Sequence, residues 1–233
     1  MSFLFEQLPL AVQLRDDATF ENFYPENNAL IVEQLKQQLQ AKEPYVFLFG
    51  GKGTGRSHLL QAVCHQADSL ALSSVYLPLA DLASYKPNEL FQGLAALQVV
   101  CLDDIQLVAG LANWEEAIFY LYNELRAQGH CLLVSADRPL SELPIAMPDL
   151  NSRLAWGASF QLRGGGDDDR EMMLKFRAER RGLHLSDEVC QYILRRSHRD
   201  ISALLDVLDT LDKASLSQRR KITIPFVKET LAW

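Results

Sequence analysis

The sequence predicts an α/β fold, in which a parallel sheet is covered by helices on both faces, followed by a small all-helical lid. Three observations predict it. Short apolar runs alternate with segments of helical periodicity before residue 164. A glycine-rich loop joins the first of these runs to a helix. Beyond the run "GGGDDD" at residues 164–169, every segment has helical periodicity, so a domain boundary is expected there.

The elements alternate along the chain. Buried strands are predicted at "PYVFLFG", "SSVYLPLA", "LQVVCLDDI", "HCLLVSADRP" and "SFQLR". Helices are predicted at "NNALIVEQLKQQLQAK", "RSHLLQAVCHQA", "ELFQGLA", "NWEEAIFYLYNELRAQG" and "SRLAWG", and lid helices at "REMMLKFRAERRG", "SDEVCQYILRRS", "DISALLDVLDTLDKASLS" and "IPFVKETLAW". Asn27 or Asn28 is the expected cap of the first helix, Gly129 closes the fourth, and Pro225 suits the first turn of the last. The expected domains are an arm at 1–17, an α/β base at 18–163 and the lid at 164–233.

Composition narrows the function. The 233 residues carry a formal net charge of −7, which argues against a protein whose main task is to bind DNA phosphates. No apolar run approaches the ~20 residues of a membrane span, and the start lacks the basic region of a signal peptide, so a cytoplasmic protein without membrane contact is expected. The four cysteines lie far apart without CxxC spacing, which predicts buried thiols rather than a zinc site or redox pair.

A phosphate-binding loop is the strongest motif. Residues 50–57, "GGKGTGRS", fit G-x-x-x-x-G-K-[ST] at every fixed position except that Arg56 replaces lysine. Glycines let the backbone N–H groups surround a phosphate, and the following helix presents its positive end to the same anion. The alternative is a glycine-rich turn without a ligand. The candidate nucleotide-binding residues here are Gly50, Gly51, Lys52, Gly53, Thr54, Gly55, Arg56, Ser57 and His58.

Carboxylates follow two of the predicted strands. Asp103 is the expected magnesium ligand together with Ser57, and Asp104 stands where a general base or water-orienting residue is expected. Paired aspartates after a strand are otherwise common as helix caps. Asp137 is placed to sense a terminal phosphate or to orient water, or else to form a turn before Pro139.

Arg56 bears on whether the site hydrolyses ATP. A guanidinium is a wider planar group than the compact ammonium of lysine, so it should fit a crowded position between β- and γ-phosphates less well. We therefore expect a site that prefers a nucleotide diphosphate and hydrolyses ATP poorly.

These motifs together resemble the DnaA clade of AAA+ proteins over residues 18–233. The resemblance rests on "GGKGTGRSHLL", "CLDDIQLVAG", "SADRP", "DLNSRLAWG" and "KITIPFVKETL". It implies an AAA+ fold with Asp137 as the first sensor, and "TFENFYPENNALIVEQL" resembles the clade's segment near the adenine, which implies Phe23 and Tyr24. Arg153 matches the arginine-finger position, with a surface ion pair to Asp149 as the alternative. Arg199 matches the second sensor on the lid, although Arg195 and Arg196 are neighbouring alternatives.

Two features point to a regulatory branch of the clade. The chain stops where the DNA-binding domain of DnaA would begin, and its arm carries "QLPL", in which Gln7, Leu8 and Leu10 could bind a pocket. Proteins of that branch bind the DNA-loaded sliding clamp and promote hydrolysis of ATP on DnaA. The resemblance thus implies DnaA and the clamp as partners, ADP and Mg²⁺ as cofactors, no sequence-specific DNA binding, and self-association as an open option. An autonomous ATPase (helicase- or clamp-loader-like) and a binding adaptor without chemistry are the competing interpretations.

Overall fold

The computed structural model describes residues 14–41, 45–197 and 201–233. Its contacts divide the chain into two units that meet between Arg163 and Gly164. The first unit has strands β1 (Tyr45–Phe49), β2 (Ser74–Pro78), β3 (Val99–Asp103), β4 (Cys131–Ala136) and β5 (Ala158–Gln161), and helices α1 (Ala29–Ala41), α2 (Arg56–Ser69), α3 (Leu79–Leu82), α4 (Pro87–Leu90), α5 (Ala112–Gln128) and α6 (Pro148–Leu154). The second has helices α7 (Asp167–Arg180), α8 (Asp187–Arg196), α9 (Ile201–Gln218) and α10 (Ile224–Leu231).

The five strands form one parallel sheet in the order β2-β3-β4-β1-β5. The predicted α/β class with a helical lid is therefore confirmed. Successive residues of β1 point to opposite faces, because side chains alternate along a strand. Phe47 joins the apolar core formed with α5, whereas Val46 and Leu48 join the core formed with α1 and α2.

Backbone conformation and capping hydrogen bonds fix the ends of two helices. Gly129 takes a left-handed conformation (φ 70°) and its N–H donates to the carbonyl groups of Leu125 and Arg126, which ends α5 as predicted. In the lid, the Thr223 side chain accepts from the N–H of Phe226, and Pro225 lies in the first turn of α10.

One predicted helix differs from the structure, and one of the two candidate caps of α1, Asn28, bonds elsewhere. The segment "ELFQGLA" is not one helix, because Gly93 is left-handed (φ 82°) and separates α4 from a short 3₁₀ turn at Leu94–Ala96. Asn28 bonds a distant strand end: its side chain accepts from the N–H of Arg163 at 2.9 Å and donates to the carbonyl of Arg163 at 3.0 Å. This pair of bonds ties the start of α1 to the residues that follow β5.

The four cysteines lie in the protein interior. Cys64, Cys101, Cys131 and Cys190 are all buried thiols, as predicted. Burial raises the pKa of Cys190 to about 11, which keeps that thiol protonated and poorly reactive at neutral pH. Within the described residues, no helix is long and apolar enough to cross a membrane.

Candidate functional site

The glycine-rich loop lies between the end of β1 and the first residue of α2. Gly53 (φ 80°) and Gly55 (φ 93°) have left-handed backbones that side chains rarely adopt. At Gly50 a Cβ atom would stand 2.6 Å from the carbonyl oxygen of Leu162, so the strand and loop approach each other too closely for any other residue. The Thr54 hydroxyl donates to the carbonyl of Gly51 at 2.9 Å. The loop is thus internally braced by contacts that depend on its sequence.

The start of α2 can bind an anion. Its N-cap residue is Gly55, and no side-chain hydrogen bond caps the helix there. The first N–H groups of a helix have no partner within it, and the helix dipole adds positive potential. The arrangement suits a phosphate group held by backbone donors.

Arg56 turns back onto its own loop. Its Nη1 donates to the carbonyl of Gly51 at 2.9 Å and also to that of Gly50. Its Nη2 donates to Oδ1 of Asp104 at 2.7 Å, in an ion pair whose arginine side chain is only 10% exposed. The Nε–H is buried and has no hydrogen-bond partner.

Asp104 has an unusual backbone conformation that a neighbouring strand residue stabilises. Its backbone is left-handed (φ 63°), and its N–H donates to the hydroxyl of Ser135 at 2.9 Å. Its Oδ1 accepts from Nε2 of Gln106 at 2.9 Å as well as from Arg56. The carboxylate predicted as a general base is therefore an acceptor for two protein donors.

Asp103 lies deeper, at 3% exposure, between strands β2 and β4. Its Oδ2 accepts from the hydroxyl of Tyr76 at 2.6 Å, and its Oδ1 accepts from the hydroxyl of Ser135. The side chains of Ser57 and Gln61 lie near that hydroxyl. Burial, with the neighbouring Asp103 carboxylate, raises the pKa of Tyr76 far above its usual value, so this hydroxyl remains a donor.

Tyr76 thus bonds Asp103 and lies near Ser57, the two residues expected to bind magnesium. The described residues contain no group of three His, Cys, Asp or Glu side chains that could hold a metal ion. Mg²⁺ commonly binds through one or two protein ligands, with phosphate oxygens and water completing its octahedron. Ser57 and Asp103 fit that mode, in which the metal arrives with a nucleotide.

Asp137 follows β4 at the same edge of the sheet. Arg138 donates to both of its oxygens, Nε to Oδ1 at 2.8 Å and Nη2 to Oδ2 at 2.9 Å. These bonds, with a smaller contribution from Arg56, hold the pKa of Asp137 below its usual value. Its N–H donates to Oε1 of Gln106, which therefore links the ends of β3 and β4.

Of the two predicted adenine-side residues, Phe23 packs on the loop. The Phe23 ring lies so close to Gly55 that a Cβ there would stand 2.5 Å from it, and its centroid is 5.5 Å from that of His58. His58 Nε2 is 2.7 Å from the carbonyl oxygen of Thr19. Tyr24 is half-buried, and Lys52 is exposed.

Arg153 stands on α6, away from these contacts. Its Nε donates to Oδ1 of Asn123 at 3.2 Å, and the guanidinium lies 6.0 Å from the centre of the Phe119 ring. Among the described residues it forms no salt bridge, so the ion pair with Asp149 that the sequence left open does not form.

A buried carboxylate anchors the segment before α6. Glu115 is 2% exposed and accepts from the N–H groups of Gly110 (2.7 Å), Ala146 (2.9 Å) and Met147 (2.7 Å). No role for Glu115, Tyr76, Gln106 or Asn123 is predicted from the sequence. Tyr76 had the one available signal, a tyrosine near the end of a predicted strand, whereas the others lie on helices or turns where polar residues are ordinary.

Four predicted residues, Gln7, Leu8, Leu10 and Arg199, lie outside the described residues.

Residues 14–161 match the family described as the bacterial DnaA ATPase domain, and residues 167–231 match the family described as the Hda lid domain. A Haemophilus influenzae protein described as uncharacterized is 42% identical over 228 residues, covering 97% of this chain and 98% of its own.

Solved structures share the fold. Domain III of the Thermotoga maritima replication initiation protein DnaA has a TM-score of 0.76 at 20% identity, covering 94% of this chain and 98% of that one. AMPPCP-bound DnaA from Aquifex aeolicus has a TM-score of 0.72 at 22% identity, covering 88% and 71%. The T. maritima RuvB Holliday junction branch migration motor has a TM-score of 0.63 at 17% identity, covering 92% and 73%.

The AAA+ fold and the resemblance to the DnaA clade are thus confirmed. The first of the two family matches spans more than half of the sequence, and the second begins just after the boundary between the two units. This chain belongs to the bacterial DnaA ATPase-domain family and carries a lid of the Hda type.

Proposed function

We propose that this protein regulates the replication initiator DnaA. It holds ADP with Mg²⁺, binds the DNA-loaded sliding clamp through its N-terminal arm, and presents Arg153 to ATP bound by DnaA. Hydrolysis of that ATP would prevent re-initiation. Membership of the DnaA family and the Hda-type lid support a role connected with DnaA.

The setting of Arg153 is the observation that carries the proposal. An arginine held by an amide and near an aromatic ring is positioned without being neutralised, because neither Asn123 nor Phe119 has a charge. Such a guanidinium keeps its charge and its remaining donors for an anion outside the chain. An arginine supplied in trans to a nucleotide triphosphate works in this way.

The chemistry assigned to Arg153 is electrostatic. As water attacks the γ-phosphorus on DnaA and the bond to ADP breaks, negative charge builds up on the transferring phosphoryl oxygens. A planar guanidinium can donate two parallel hydrogen bonds to those oxygens. The proton of the attacking water is taken up within the site of DnaA, and this chain contributes only the cation.

Nucleotide binding by this chain is supported by the braced loop and by the relative whose structure contains AMPPCP. In the proposal, the loop and the start of α2 hold the phosphates, while Phe23 and Tyr24 lie on the adenine side. Ser57 and Asp103 would hold Mg²⁺, Asp137 would sense the terminal phosphate, and Arg199 of the lid would contact phosphate within the same chain. The site residues and the choice of ADP are part of the proposal.

Clamp binding rests on the arm motif alone. Leu8 and Leu10 could fill an apolar pocket while Gln7 supplies an amide hydrogen bond. If the proposal is right, the double variant Leu8→Ala/Leu10→Ala loses binding to the clamp in a surface-capture assay but keeps its nucleotide affinity. Retention of clamp binding would remove this part of the proposal. A cytoplasmic location and self-association also remain proposals.

The deciding experiment compares Arg153→Ala with the control Lys86→Ala in a clamp-dependent assay of hydrolysis of DnaA-bound ATP. Lys86 forms an exposed ion pair with Glu89 and touches none of the proposed site. Loss of an arginine finger costs on the order of 10³-fold in rate. We expect Arg153→Ala to lose that stimulation while its own nucleotide affinity is unchanged. Full stimulation by Arg153→Ala would instead make the protein an adaptor without chemistry.

An autonomous ATPase is the second candidate. Asp103 and Asp104, at the end of β3, and Ser57, in the first turn of α2, are the residues that hydrolysis would use. The environment of Asp104 counts against it, because its Oδ1 already accepts from Arg56 and Gln106 and is not free to bind an attacking water.

A further inference from the structure

Helix α5 holds α6 at both of its ends. Glu115 and Asn123 lie on α5, and Phe119 between them completes a ridge in which each member is four residues from the next. Glu115 accepts from the N–H of Met147, the N-cap residue of α6, at 2.7 Å. Asn123 accepts from Nε of Arg153, one residue before the end of that helix, at 3.2 Å. One ridge therefore contacts the first and the last turn of the helix that carries the proposed arginine finger.

Glu115 holds the start of α6 through several short hydrogen bonds. Its Oε1 accepts from the N–H of Gly110 at 2.7 Å and from that of Ala146 at 2.9 Å. Its Oε2 accepts from the N–H of Met147 at 2.7 Å. The side chain is buried, so water has little access to these bonds, and hydrogen bonds to a carboxylate are stronger than those between neutral groups. The start of α6 is thus tied both to α5 and to the loop after β3.

The loop after β3 lies directly against the segment that leads into α6. Gly110 in this loop has a left-handed backbone (φ 85°), and a Cβ atom there would stand 3.2 Å from the carbonyl oxygen of Pro144. Glu115 accepts from an N–H group on each side of this contact. Removing the carboxylate would leave three N–H groups without their acceptor at the place where the two backbone segments meet.

The other end of α6 is held less firmly. The bond between Arg153 and Asn123 is long, and the guanidinium lies 6.0 Å from the centre of the Phe119 ring. Leu150 and Leu154 attach α6 to the apolar core, but apolar contacts are non-directional and permit small tilts. The direction in which Arg153 points therefore depends on the fixed start of the helix.

A small movement at the start of α6 is enough to displace the guanidinium. Met147 and Arg153 are six residues apart in the sequence, which is ~9 Å along a helix axis. Over that length a tilt of about 6° moves Arg153 by about 1 Å, and a displacement of this size can cost on the order of 10²-fold in rate. The hydrogen bonds of Glu115 oppose such a tilt at the end where it would begin.

We propose that Glu115 is a positioning residue for Arg153, which fixes the orientation of α6 so that the guanidinium reaches the nucleotide of a partner. The inference rests on the proposed function, because it assumes that Arg153 acts on ATP bound by DnaA. In this role Glu115 contacts no nucleotide, and its effect passes through α6. A carboxylate about two helical turns from the amide that holds Arg153 is thereby needed for stimulation.

The test measures stimulation of DnaA-bound ATP hydrolysis over a range of concentrations of this protein. For Glu115→Ala we expect the maximal rate to fall by roughly tenfold or more, with little change in the concentration that gives half of the maximum. A variant that is merely less stable behaves differently. Its unfolded fraction lowers the active concentration, which raises the half-maximal concentration and leaves the maximal rate unchanged. Glu115→Gln keeps one acceptor oxygen and should give an intermediate maximal rate.

Two controls accompany these variants. Leu39→Ala opens a cavity in the core formed with α1 and α2, on the other face of the sheet, so it lowers stability without touching α6. Glu116→Ala alters an exposed neighbour of Glu115. Both should keep the maximal rate, and thermal unfolding identifies the variants that are folded at the assay temperature. If Glu115→Ala is not folded there, Glu115→Gln decides: a maximal rate equal to that of the unmodified chain would overturn the positioning role.

A second measurement does not depend on DnaA. The NMR resonance of the Arg153 Nε–H, which donates to Asn123, should shift in Glu115→Ala, and its exchange with water should become several-fold faster. Leu39→Ala should leave both unchanged. An unchanged Arg153 resonance in Glu115→Ala would overturn the inference, as would a maximal rate equal to that of Leu39→Ala. If the resonance responds as expected but the unmodified chain gives no stimulation, the proposed function fails while the placement of Arg153 by Glu115 is supported.

Discussion

Two arginines of the same unit stand in opposite environments. Arg56 is 10% exposed and is paired with a carboxylate that is itself held by the protein. Arg153 is half-buried and is held by an amide at 3.2 Å, without a salt bridge among the described residues. The guanidinium charge of Arg56 is balanced by a carboxylate, whereas that of Arg153 is held by a neutral amide.

This contrast indicates how one fold can separate the binding of its own nucleotide from action on the nucleotide of a partner. A cation whose charge is matched inside the chain stabilises its own site and has little left to offer a neighbour. A cation positioned by neutral groups keeps its field for an anion that arrives from outside. In our account Arg56 serves the protein's own nucleotide and Arg153 serves the partner's.

The largest expected effect is on the Arg153 side of the comparison. Glu115→Ala should lower the free energy of unfolding by about 3 kcal/mol, because three backbone N–H groups would lose a buried charged acceptor. Glu115→Gln should recover part of this loss, since its amide oxygen still accepts. Chemical denaturation measures both, with Glu116→Ala, an exposed neighbour, as control. If Glu115→Ala unfolds like the control, the segment before α6 is not held as described.

The next effect tests the rigidity of the Arg56 side. Tyr76→Phe removes the hydroxyl that donates to the buried Asp103 carboxylate and should lower the free energy of unfolding by about 2 kcal/mol. It should also weaken the dependence of nucleotide affinity on Mg²⁺, because Asp103, a proposed metal ligand, loses the hydrogen bond that orients its Oδ2. Tyr85→Phe, at an exposed tyrosine, is the control. Unchanged magnesium dependence would mean that Tyr76 only fills space.

A smaller effect is expected from the amide that holds Arg153. Asn123→Ala should change the free energy of unfolding by about 0.5 kcal/mol, because the bond is long and partly exposed. Stimulation of DnaA-bound ATP hydrolysis should nevertheless fall several-fold in this variant, on the order of the cost of a misplaced catalytic group. The neighbouring exposed Glu124→Ala should leave stimulation unchanged. Equal stimulation by the two variants would show that Arg153 needs no positioning.

The smallest effect concerns the strand end beside Arg56. Arg138 lowers the pKa of Asp137, so the pair contributes stability above the unfolded value of 3.8, and this is lost as the pH falls through the folded value. Since the pair is largely exposed, Arg138→Ala should lower the free energy of unfolding at neutral pH by less than any of the preceding variants. The cost should shrink further below pH 3.8. An NMR titration should show the pKa of Asp137 rising in the variant; no rise would assign the lowered pKa to other groups.

The strands, the loop and the lid could be predicted from sequence because each depends on local pattern. Apolar runs of five or six residues mark buried strands, and glycines mark the loop. The edge of the sheet where Asp103, Asp104 and Asp137 meet also follows, since the ends of parallel strands share one edge.

The partners of these residues could not be predicted, because they depend on register and side-chain direction. Tyr76 reaches Asp103 only because Pro78 pairs with Asp103 and Tyr76 pairs with Cys101. Ser135 reaches it because Leu102 pairs with Val134 in the next strand. Arg56 was expected to extend toward phosphate, and nothing in the sequence indicates that it turns back to Asp104.

The most direct test of the account asks whose ATP is hydrolysed. DnaA and this protein are loaded with ATP carrying different phosphorus isotopes and mixed on clamp-loaded DNA, and release of each isotope is followed in one reaction. The account predicts rapid release from DnaA, little release from this protein, and loss of the DnaA signal with Arg153→Ala. Equal release from both proteins, or release from DnaA that survives Arg153→Ala, would contradict it.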